Sequence, residues 1–541
     1  MFRSISRLFL ISIVICSLSY AQDVPVWDKY ESEFQSSREY ENPLYDLKSF
    51  EVEFVSPSGR SRRINGFWDG GLVWKVRFCP DEMGDWTWKS SCSDRENSGL
   101  NDLSGSFMVT GNNNLLDIYR KGSIIRSRGN YHLTHADGSS FFWLADTAWN
   151  GAMRASGEEW DIYLKDRQAK GFNVIQFVTT QWRGREADRN GEVAFTGSGR
   201  IRINPHFFRN LDERVDQVNQ QGLVAAPVLL WALPRGQGRE LSPGYYLPED
   251  EAVLLARYTV ARYGGNHVIW ILGGDGAYIG EFEQRWKNIG RRVFEDDPPG
   301  LVAQHPHGSS WIGEDYREEA WLDIIGYQSS HSNEERVVNW INKGPMSQQW
   351  DKLPARPLMN LEPNYELIGN RITAEDVRNA SYWSLFATPV SGLSYGHNSI
   401  WPWLYEGETI VNHEKTEGYP SWEEAMHFPG SGQVGYLAGF IRSFDWWRFR
   451  PAPELLTEQP GEKIYNHFIS IVRNPENGTI LCYLPVKGEV KIYNLFKESF
   501  TGRWFDPVEN TYSEAEVSGR GNILETESRK DQDMVLILER E

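Results

Sequence analysis

Two acidic residues in this sequence each follow an apolar segment, and carboxyl groups in such positions can transfer protons or act as nucleophiles. Asp275 follows residues 268–272 and two glycines, and Glu362 follows residues 357–361. Cleavage of a glycosidic bond needs two carboxyl groups, one protonated to deliver a proton to the leaving oxygen and one ionised. Shared negative charge raises the pKa of one carboxyl when the two lie close together. We therefore predict Asp275 as the acid/base and Glu362 as the nucleophile of a retaining enzyme.

Polar and aromatic residues also stand at the ends of other apolar segments, where they could bind sugar hydroxyls and rings. Any one of them has a simpler interpretation as a helix cap or a core side chain. Capping and packing do not predict the whole set, because neither places such groups at one end of successive strands. The predicted substrate-binding residues are Asp146, Trp149, Trp182, Trp231, His305, His307, His331, Tyr365, Glu366, Tyr395, His397 and Trp401. No Cys or His spacing matches a structural zinc site, and no metal or cofactor is predicted.

These side chains can meet only if the segments before them are neighbouring strands. Helical periodicity over residues 157–168, 211–219 and 252–262 alternates with apolar segments. Eight strands alternating with helices over about 330 residues predict a (β/α)8 TIM barrel, in which the carboxyl ends of the strands converge on one face. Gly273 and Gly274 are expected to leave the backbone beside Asp275 bare for a sugar ring. The predicted strands are residues 141–146, 172–178, 223–231, 268–275, 301–304, 322–327, 357–361 and 390–395.

Both flanks of the predicted barrel, which we place at residues 113–445, have the pattern of β domains. Residues 22–112 contain short alternating strands typical of an immunoglobulin-like β-sandwich, with packing against the barrel as its default role. Residues 446–541 predict a second β-sandwich with the same default role. Its strands are expected at residues 464–472, 479–484, 490–493 and 534–538.

Charge and composition indicate which class of partner the chain binds. The chain has 541 residues and a formal net charge of -18, so it lacks the basic surplus that a nucleic-acid partner requires. It contains 23 Trp and 24 Tyr, more than a core of this size needs. Flat aromatic faces are typical of carbohydrate sites, although aromatic-rich sandwich cores give a similar count. A carbohydrate substrate is the partner that we predict.

The first 21 residues have the pattern of an export signal. Arg3 and Arg7 precede a mostly apolar segment, residues 8–18, which is too short to span a bilayer and is followed by small residues. No later segment reaches the length of a membrane span. The product is therefore expected in the periplasm or outside the cell, without membrane insertion.

Removal of that segment leaves three cysteines, an odd number for an oxidising compartment. A turn after Phe78 would place this residue opposite Trp86, which puts Cys92 several residues out of register with Cys79. Disulfide geometry is strict, so a bridge between these two cysteines is the less favoured interpretation. At least one thiol is unpaired in the monomer.

Four motifs stand at the predicted strand ends: Asp146-Thr147-Ala148-Trp149, Ile271-Leu272-Gly273-Gly274-Asp275, Glu362-Pro363-Asn364-Tyr365-Glu366 and Ser394-Tyr395-Gly396-His397. Together they resemble the apiosidase-like glycoside hydrolases. The segment with Phe67-Trp68-Asp69-Gly70 is similar to the immunoglobulin-like domain often found before that barrel, and the segment from Trp446 onward resembles a β-sandwich named for collagen binding. By this resemblance, the aspartate of Gly-Gly-Asp is the acid/base and the first glutamate of Glu-Pro-Asn-Tyr-Glu is the nucleophile.

One departure from related barrels keeps alternatives open. Many retaining barrels carry Asn-Glu at the fourth strand, whereas this chain has Gly274-Asp275, so the position of backbone or substrate must compensate for the shorter acid. We predict a secreted retaining glycoside hydrolase acting on a complex plant or algal polysaccharide, or on an oligosaccharide from one. An inverting glycosidase and a non-catalytic carbohydrate-binding or adhesion protein are the alternatives.

Overall fold

The computed structural model describes residues 23–126, 129–296, 298–413, 417–495, 499–520 and 522–541. The predicted export signal at residues 1–21 lies outside this part of the chain. The described residues form a central closed barrel with a β-rich region on each side of it. Among them, no helix is both long and apolar enough to span a bilayer.

The centre of the fold is a closed barrel of eight parallel strands, which confirms the predicted architecture. Each observed strand begins and ends within two residues of its predicted bounds. Continuous apolar segments form these strands because the barrel interior covers one face and the helices cover the other. In chain order the strands are β1 (Trp143–Thr147), β2 (Val174–Val178), β3 (Val224–Trp231), β4 (Ile269–Gly274), β5 (Leu301–Gln304), β6 (Ile324–Gln328), β7 (Leu358–Glu362) and β8 (Gly392–Tyr395).

One principal helix follows each strand and packs on the outside of the barrel. Two of these helices begin with reciprocal capping boxes, Ser156 with Glu159 at the first and Thr373 with Asp376 at the seventh. Shorter helices add Gly151–Arg154, Pro243–Tyr246, Pro345–Gln349 and Trp422–Ala425 to the loops. The principal helices are α1 (Gly157–Ala169), α2 (Pro205–Gln220), α3 (Glu249–Tyr263), α4 (Glu283–Val293), α5 (Gly313–Tyr316), α6 (Glu335–Lys343), α7 (Ala374–Phe386) and α8 (Pro429–Arg442).

The two glycines at the end of β4 serve packing, which corrects our expectation that they keep the backbone bare for a sugar. A Cβ on Gly273 would lie 2.4 Å from the hydroxyl of Tyr278, and one on Gly274 would lie 2.6 Å from Cε3 of Trp231. Both distances are too short for real contacts, so any side chain would displace these aromatic rings. The space beside the backbone is therefore already filled by the protein itself.

The N-terminal region consists of two sheets packed face to face. Phe78 and Trp86 do lie opposite each other, with ring centroids 5.1 Å apart, but on different sheets and not in the hairpin that we expected. Cys79, Cys92 and Cys482 are all buried free thiols. One sheet contains Val24–Pro25, Ser104–Thr110, Gly84–Cys92, Phe50–Val55 and Ser61–Asn65, and the other contains Tyr30–Gln35, Val73–Phe78 and Phe67–Gly70.

Buried ion pairs fasten the N-terminal sandwich to the barrel. Arg262 on α3 is fully buried and lies 2.7 Å from Asp212 on α2 and 2.9 Å from Asp69 of the sandwich. Arg77 of the sandwich lies 2.7 Å from the same Asp212. Since breaking a buried pair leaves an uncompensated charge, this network resists separation of the two regions.

The C-terminal region is also built from two sheets. Its predicted strand at residues 464–472 begins only at Ser470, because the chain first forms the 3-10 turn Tyr465–His467. Arg378 on α7 forms a buried ion pair of 2.6 Å with Asp533, which attaches this region to the barrel. The larger sheet contains Arg450–Pro451, Ser470–Arg473, Ile480–Leu484, Met534–Arg540, Phe500–Asp506 and Thr511–Glu514, and the smaller one contains Gly488–Tyr493, Ile523–Ser528 and Ser518–Arg520.

Candidate active site

Glu362 ends β7 and lies between two imidazoles. Nε2 of His331 is 3.1 Å from its Oε1, and Nε2 of His305 is 3.1 Å from its Oε2. The second contact is close but not aligned as a hydrogen bond, so both of those polar atoms are buried without a partner. Burial alone would raise the pKa of Glu362, but the two imidazoles outweigh it and hold the pKa well below its usual range. Glu362 is therefore an ionised carboxylate across the physiological range of pH.

His305 links the two predicted catalytic residues. It follows β5 and is fully buried, and its Nδ1 accepts a hydrogen bond of 3.0 Å from the backbone N–H of Asp275. An imidazole nitrogen that accepts a hydrogen bond carries no proton, so the proton of the neutral ring sits on Nε2. The ring thus presents an N–H to Glu362 while it holds the backbone at the end of β4.

His331 contacts the other oxygen of Glu362 from the loop after β6. Its Nδ1 donates a hydrogen bond of 2.8 Å to the carbonyl oxygen of Pro363, and its ring lies 4.3 Å from that of Tyr365. Because Nδ1 is committed as a donor, the short contact from Nε2 to Glu362 requires a proton between these two side chains. Tyr365 completes the group, since burial and the charge of Glu362 raise its pKa well above the usual range and keep its hydroxyl protonated.

Asp275 follows β4 directly and is partly buried. Its φ of 51° is in the left-handed region, which Asp adopts more readily than most residues with a Cβ. Burial and the negative charge of Glu362 raise the pKa of Asp275 well above its usual range, while Arg183 and Arg235 act in the opposite direction. Asp275 can therefore hold a proton that Glu362 cannot.

Four tryptophans form one cluster beside His305, and all four are predicted site residues. The ring of Trp149 lies 5.8 Å from that of His305 and 5.3 Å from that of Trp231. The ring of Trp182 lies 4.2 Å from that of Trp231 and 6.2 Å from that of Trp401. The indole N–H of Trp149 donates to the hydroxyl of Tyr365 at 2.9 Å. These aromatic side chains are only 2% to 6% exposed, so they form an aromatic wall with little open surface.

His307, another predicted site residue, lies beside the loop that carries Asp275. Its backbone N–H donates to the carbonyl oxygen of Gly276 at 3.0 Å, and its ring is partly buried. Burial, opposed only in part by the nearby Gly308 carbonyl, lowers its pKa, so the ring is neutral near pH 7. The structure thus groups eight of the twelve predicted binding residues around Asp275 and Glu362.

Two of the other predicted residues point away from the site. Asp146 on β1 and Tyr395 on β8 are paired in register, and both side chains face the helix layer. The carboxylate of Asp146 accepts hydrogen bonds from Tyr163 at 2.8 Å and from Arg167 at 2.5 Å, and Asp146 and Arg167 are both fully buried. Side chains alternate between the two faces of a strand, so residues next to inward-facing positions point outward. Asp146 is therefore committed to an ion pair behind the barrel wall.

Glu366 and His397 complete this outer group. Glu366 accepts a hydrogen bond of 2.6 Å from Tyr395 and one of 3.0 Å from the backbone N–H of Gly430, in the first turn of α8. A carboxylate at a helix N-terminus satisfies an otherwise unpaired N–H group. His397 is fully buried against Phe428, with ring centroids 4.7 Å apart. Neither side chain lies with the tryptophan cluster near Asp275 and Glu362.

Two site residues were not predicted from the sequence. Arg183 follows Trp182 in the loop after β2, and its positive charge acts on both Asp275 and Glu362. Asn360 on β7 accepts a hydrogen bond of 3.3 Å from the backbone N–H of Glu362 and donates to neighbouring hydroxyls. The position of Arg183 beside a predicted aromatic residue was the available signal. Within the part of the chain that the structure describes, no group of His, Cys, Asp and Glu side chains is arranged to hold a metal ion.

Comparisons with known proteins support the fold described above. The family model for the apiosidase-like catalytic domain matches residues 127–448, more than half of the chain, and a domain of unknown function, DUF5060, matches residues 23–93. No curated protein matches the chain.

Solved structures share the fold. One is a glycoside hydrolase family 5 protein from Bacteroides vulgatus ATCC 8482, with 22% identity and a TM-score of 0.66, covering 78% of this chain and 94% of that one. Another from the same organism, provisionally assigned as a glycoside hydrolase, has 17% identity and a TM-score of 0.69, covering 96% of this chain and 100% of that one. With more than half of its length matched by the catalytic-domain model, the chain belongs to the apiosidase-like family and is a glycoside hydrolase.

Proposed function

We propose that this glycoside hydrolase works by a retaining double displacement, with Asp275 as acid/base and Glu362 as nucleophile. The observation that carries the proposal is the opposite perturbation of the two carboxyl groups. Two imidazoles lower the pKa of Glu362, whereas burial and the charge of Glu362 raise the pKa of Asp275. One ionised and one protonated carboxyl group at the same pH is the state that glycosidase chemistry needs.

In the first step, Asp275 delivers its proton to the leaving oxygen while a carboxylate oxygen of Glu362 forms a bond to the anomeric carbon. The glycosidic bond breaks, the leaving group departs with the proton, and the sugar is held as an ester. Esterification removes the negative charge of Glu362, so a main cause of the raised pKa of Asp275 disappears. Asp275 can then act as the base that takes a proton from water in the second step, which releases the sugar and restores Glu362.

We further propose that the substrate is a complex plant or algal polysaccharide, or an oligosaccharide derived from one. The aromatic wall supports cleavage at the end of a chain or in a short oligosaccharide, because rings that are 2% to 6% exposed offer no long surface to a polymer. We also propose export by the first 21 residues to the periplasm or beyond. N-terminal sequencing of the protein recovered from cell fractions should show a start near Gln22.

A screen of purified protein against plant and algal polysaccharides, with product analysis, should identify the substrate. On that substrate, Asp275→Asn and Glu362→Gln should each lower kcat by about 10²-fold to 10⁴-fold or more. Glu366→Gln is the matched control, since it changes a carboxyl group of the same motif that contacts Tyr395 and α8 instead of the site. Unchanged hydrolysis by either variant would refute the assignment of that residue as catalytic.

The two roles can be separated by the configuration of the products. NMR of the first product formed by the wild-type enzyme should show the anomeric configuration of the substrate. Azide should restore turnover of an activated glycoside by Asp275→Gly with retained configuration, and by Glu362→Gly with inverted configuration, because only in the second case does azide replace the nucleophile. Inversion by the wild-type enzyme would show that Glu362 acts as a general base.

A further inference from the structure

A large cleft lies between the barrel and the C-terminal region, and we call it the basal cleft. It has a volume of about 1110 Å³, and its walls come from three parts of the chain. These are the small sheet of Ile124–Arg126, Leu133–His135 and Ser140–Phe141, the end of α8 with residues 446–450, and Pro475 with Glu476 of the C-terminal region.

The basal cleft lies on the face of the barrel opposite the active site. Arg442, at the C-terminal end of α8, donates to the carbonyl oxygen of Phe142, the residue before β1 begins. This contact places the end of α8 at the amino-terminal ends of the strands. The catalytic residues follow the carboxyl-terminal ends, where the active sites of this fold lie. A ligand in the basal cleft would therefore not touch Asp275 or Glu362.

The walls of the basal cleft carry four arginines but only one carboxylate, although the whole chain has a net charge of -18. Two of the arginines are neutralised, Arg126 by Asp323 at 2.7 Å and Arg448 by Glu476. The other two, Arg442 and Arg450, lack a carboxylate partner among the described residues.

Arg442 donates to the backbone carbonyl oxygens of Gly171 and Phe142, and Arg450 to those of Trp447 and Phe449. Arg442 is exposed and Arg450 is half-buried, and each guanidinium lies over an aromatic ring, that of Phe142 at 5.4 Å and that of Tyr131 at 5.0 Å. Two guanidinium groups that solvent can reach, and that no carboxylate of the described residues neutralises, are a site for an anionic group.

Aromatic side chains stand beside these charges. Trp447 is partly exposed and is held at right angles to the buried Trp446, with ring centroids 5.8 Å apart. His132 is 8% exposed, packs edge-on against Trp446, and has a buried Nδ1 without a hydrogen-bond partner. A fixed indole face beside a guanidinium fits a sugar ring that bears a carboxylate or a sulfate.

We propose that the basal cleft is a second carbohydrate-binding site, which holds an acidic segment of a polysaccharide through Arg442, Arg450 and Trp447. Guanidinium groups bind carboxylate and sulfate oxygens through paired N–H donors, and the indole stacks on the adjoining sugar. The site would keep the enzyme on its polymer while chain ends enter the active site on the opposite face.

Binding can be measured on the full-length chain with Glu362→Gln, so that hydrolysis plays no part in the result. Affinity electrophoresis should show retardation by polygalacturonate, by dextran sulfate or by both, and none by neutral dextran or by a DNA oligonucleotide. Retardation by only one of the two anionic polymers identifies the carboxylate or the sulfate as the recognised group. Absence of binding to both, or equal binding to neutral dextran or DNA, overturns the proposal.

Variants locate the binding on the surface. Arg442→Gln with Arg450→Gln should weaken binding about fivefold to tenfold, as expected for the loss of two partly exposed ion pairs. The matched control removes two exposed arginines elsewhere, Arg336→Gln with Arg503→Gln, and should change the affinity less than about twofold. Trp447→Ala tests the stacking separately and retains both charges. If the double arginine variant, the tryptophan variant and the control all bind the polymer with equal affinity, the cleft does not bind the polymer.

Discussion

Replacement of Asp146 by asparagine should lower stability and leave substrate binding unchanged. The sequence placed Asp146 among the substrate-binding residues, but the structure pairs its carboxylate with Arg167 at full burial. Removal of one partner of a buried ion pair costs about 3–5 kcal/mol when the other charge is left uncompensated, and Asp166, which also pairs with Arg167, should keep the loss near the lower end of that range. The unfolding entropy of a barrel of about 300 residues is about 0.63 kcal/mol/K, so a loss of about 3 kcal/mol should lower Tm by about 5 °C.

Scanning calorimetry of the full-length wild type and of Asp146→Asn measures this change, and kinetics at 25 °C on the folded protein measure KM. Tyr163→Phe is the matched control, since it removes only the hydroxyl that donates to Asp146 at 2.8 Å. A hydrogen bond to a charged group contributes about 1.5–3 kcal/mol, so the control should lower Tm by about 2–5 °C. A tenfold rise in KM with an unchanged Tm would refute the structural role of Asp146.

Two further predictions concern the pH dependence of kcat/KM. His331→Ala removes a donor 3.1 Å from Glu362 and should therefore raise the pKa of that carboxyl. The acid limb of the profile should move to higher pH by about 1–2 pH units. The control variant His307→Ala should leave the acid limb in place. Arg183→Gln removes a positive charge that lowers the pKa of Asp275, so the basic limb, where the protonated acid is lost, should move to higher pH. An acid limb shared by wild type and His331→Ala, or a basic limb that moves to lower pH in Arg183→Gln, would contradict the assigned roles.

The barrel was predictable because its strands are continuous apolar segments with helical periodicity between them. The sequence also located the ends of the strands, and Asp275, Glu362 and His305 were identified as site residues because they stand at those ends. The end of a strand determines which residues reach the carboxyl-terminal face of the barrel. For Asp275, the apolar segment at residues 268–272 was sufficient to locate that end. The catalytic pair therefore rests on local sequence information, and its chemical roles stay predictions that the kinetic variants test.

The direction of each side chain was not predictable. Strands that are buried on both faces show no polar alternation, so nothing in the sequence marks whether Asp146 or its neighbour Thr147 faces the barrel interior. The structure turns Asp146 toward Arg167, and Tyr395 follows because the two residues are paired in register. The contact of Glu366 with Gly430 joins residues 64 positions apart and has no local signal.

The single imidazole of His305 limits how this enzyme can be re-engineered. The ring accepts a hydrogen bond from the backbone N–H of Asp275, and its Nε2 lies 3.1 Å from the carboxylate of Glu362, so one rigid ring fills the space between the end of β4 and the end of β7. Under the retaining mechanism that we propose, conversion to an inverting enzyme would require a wider gap for an attacking water between Asp275 and Glu362. His305 would then have to be replaced together with one acid, and a smaller side chain there would free the loop of Asp275 from Glu362.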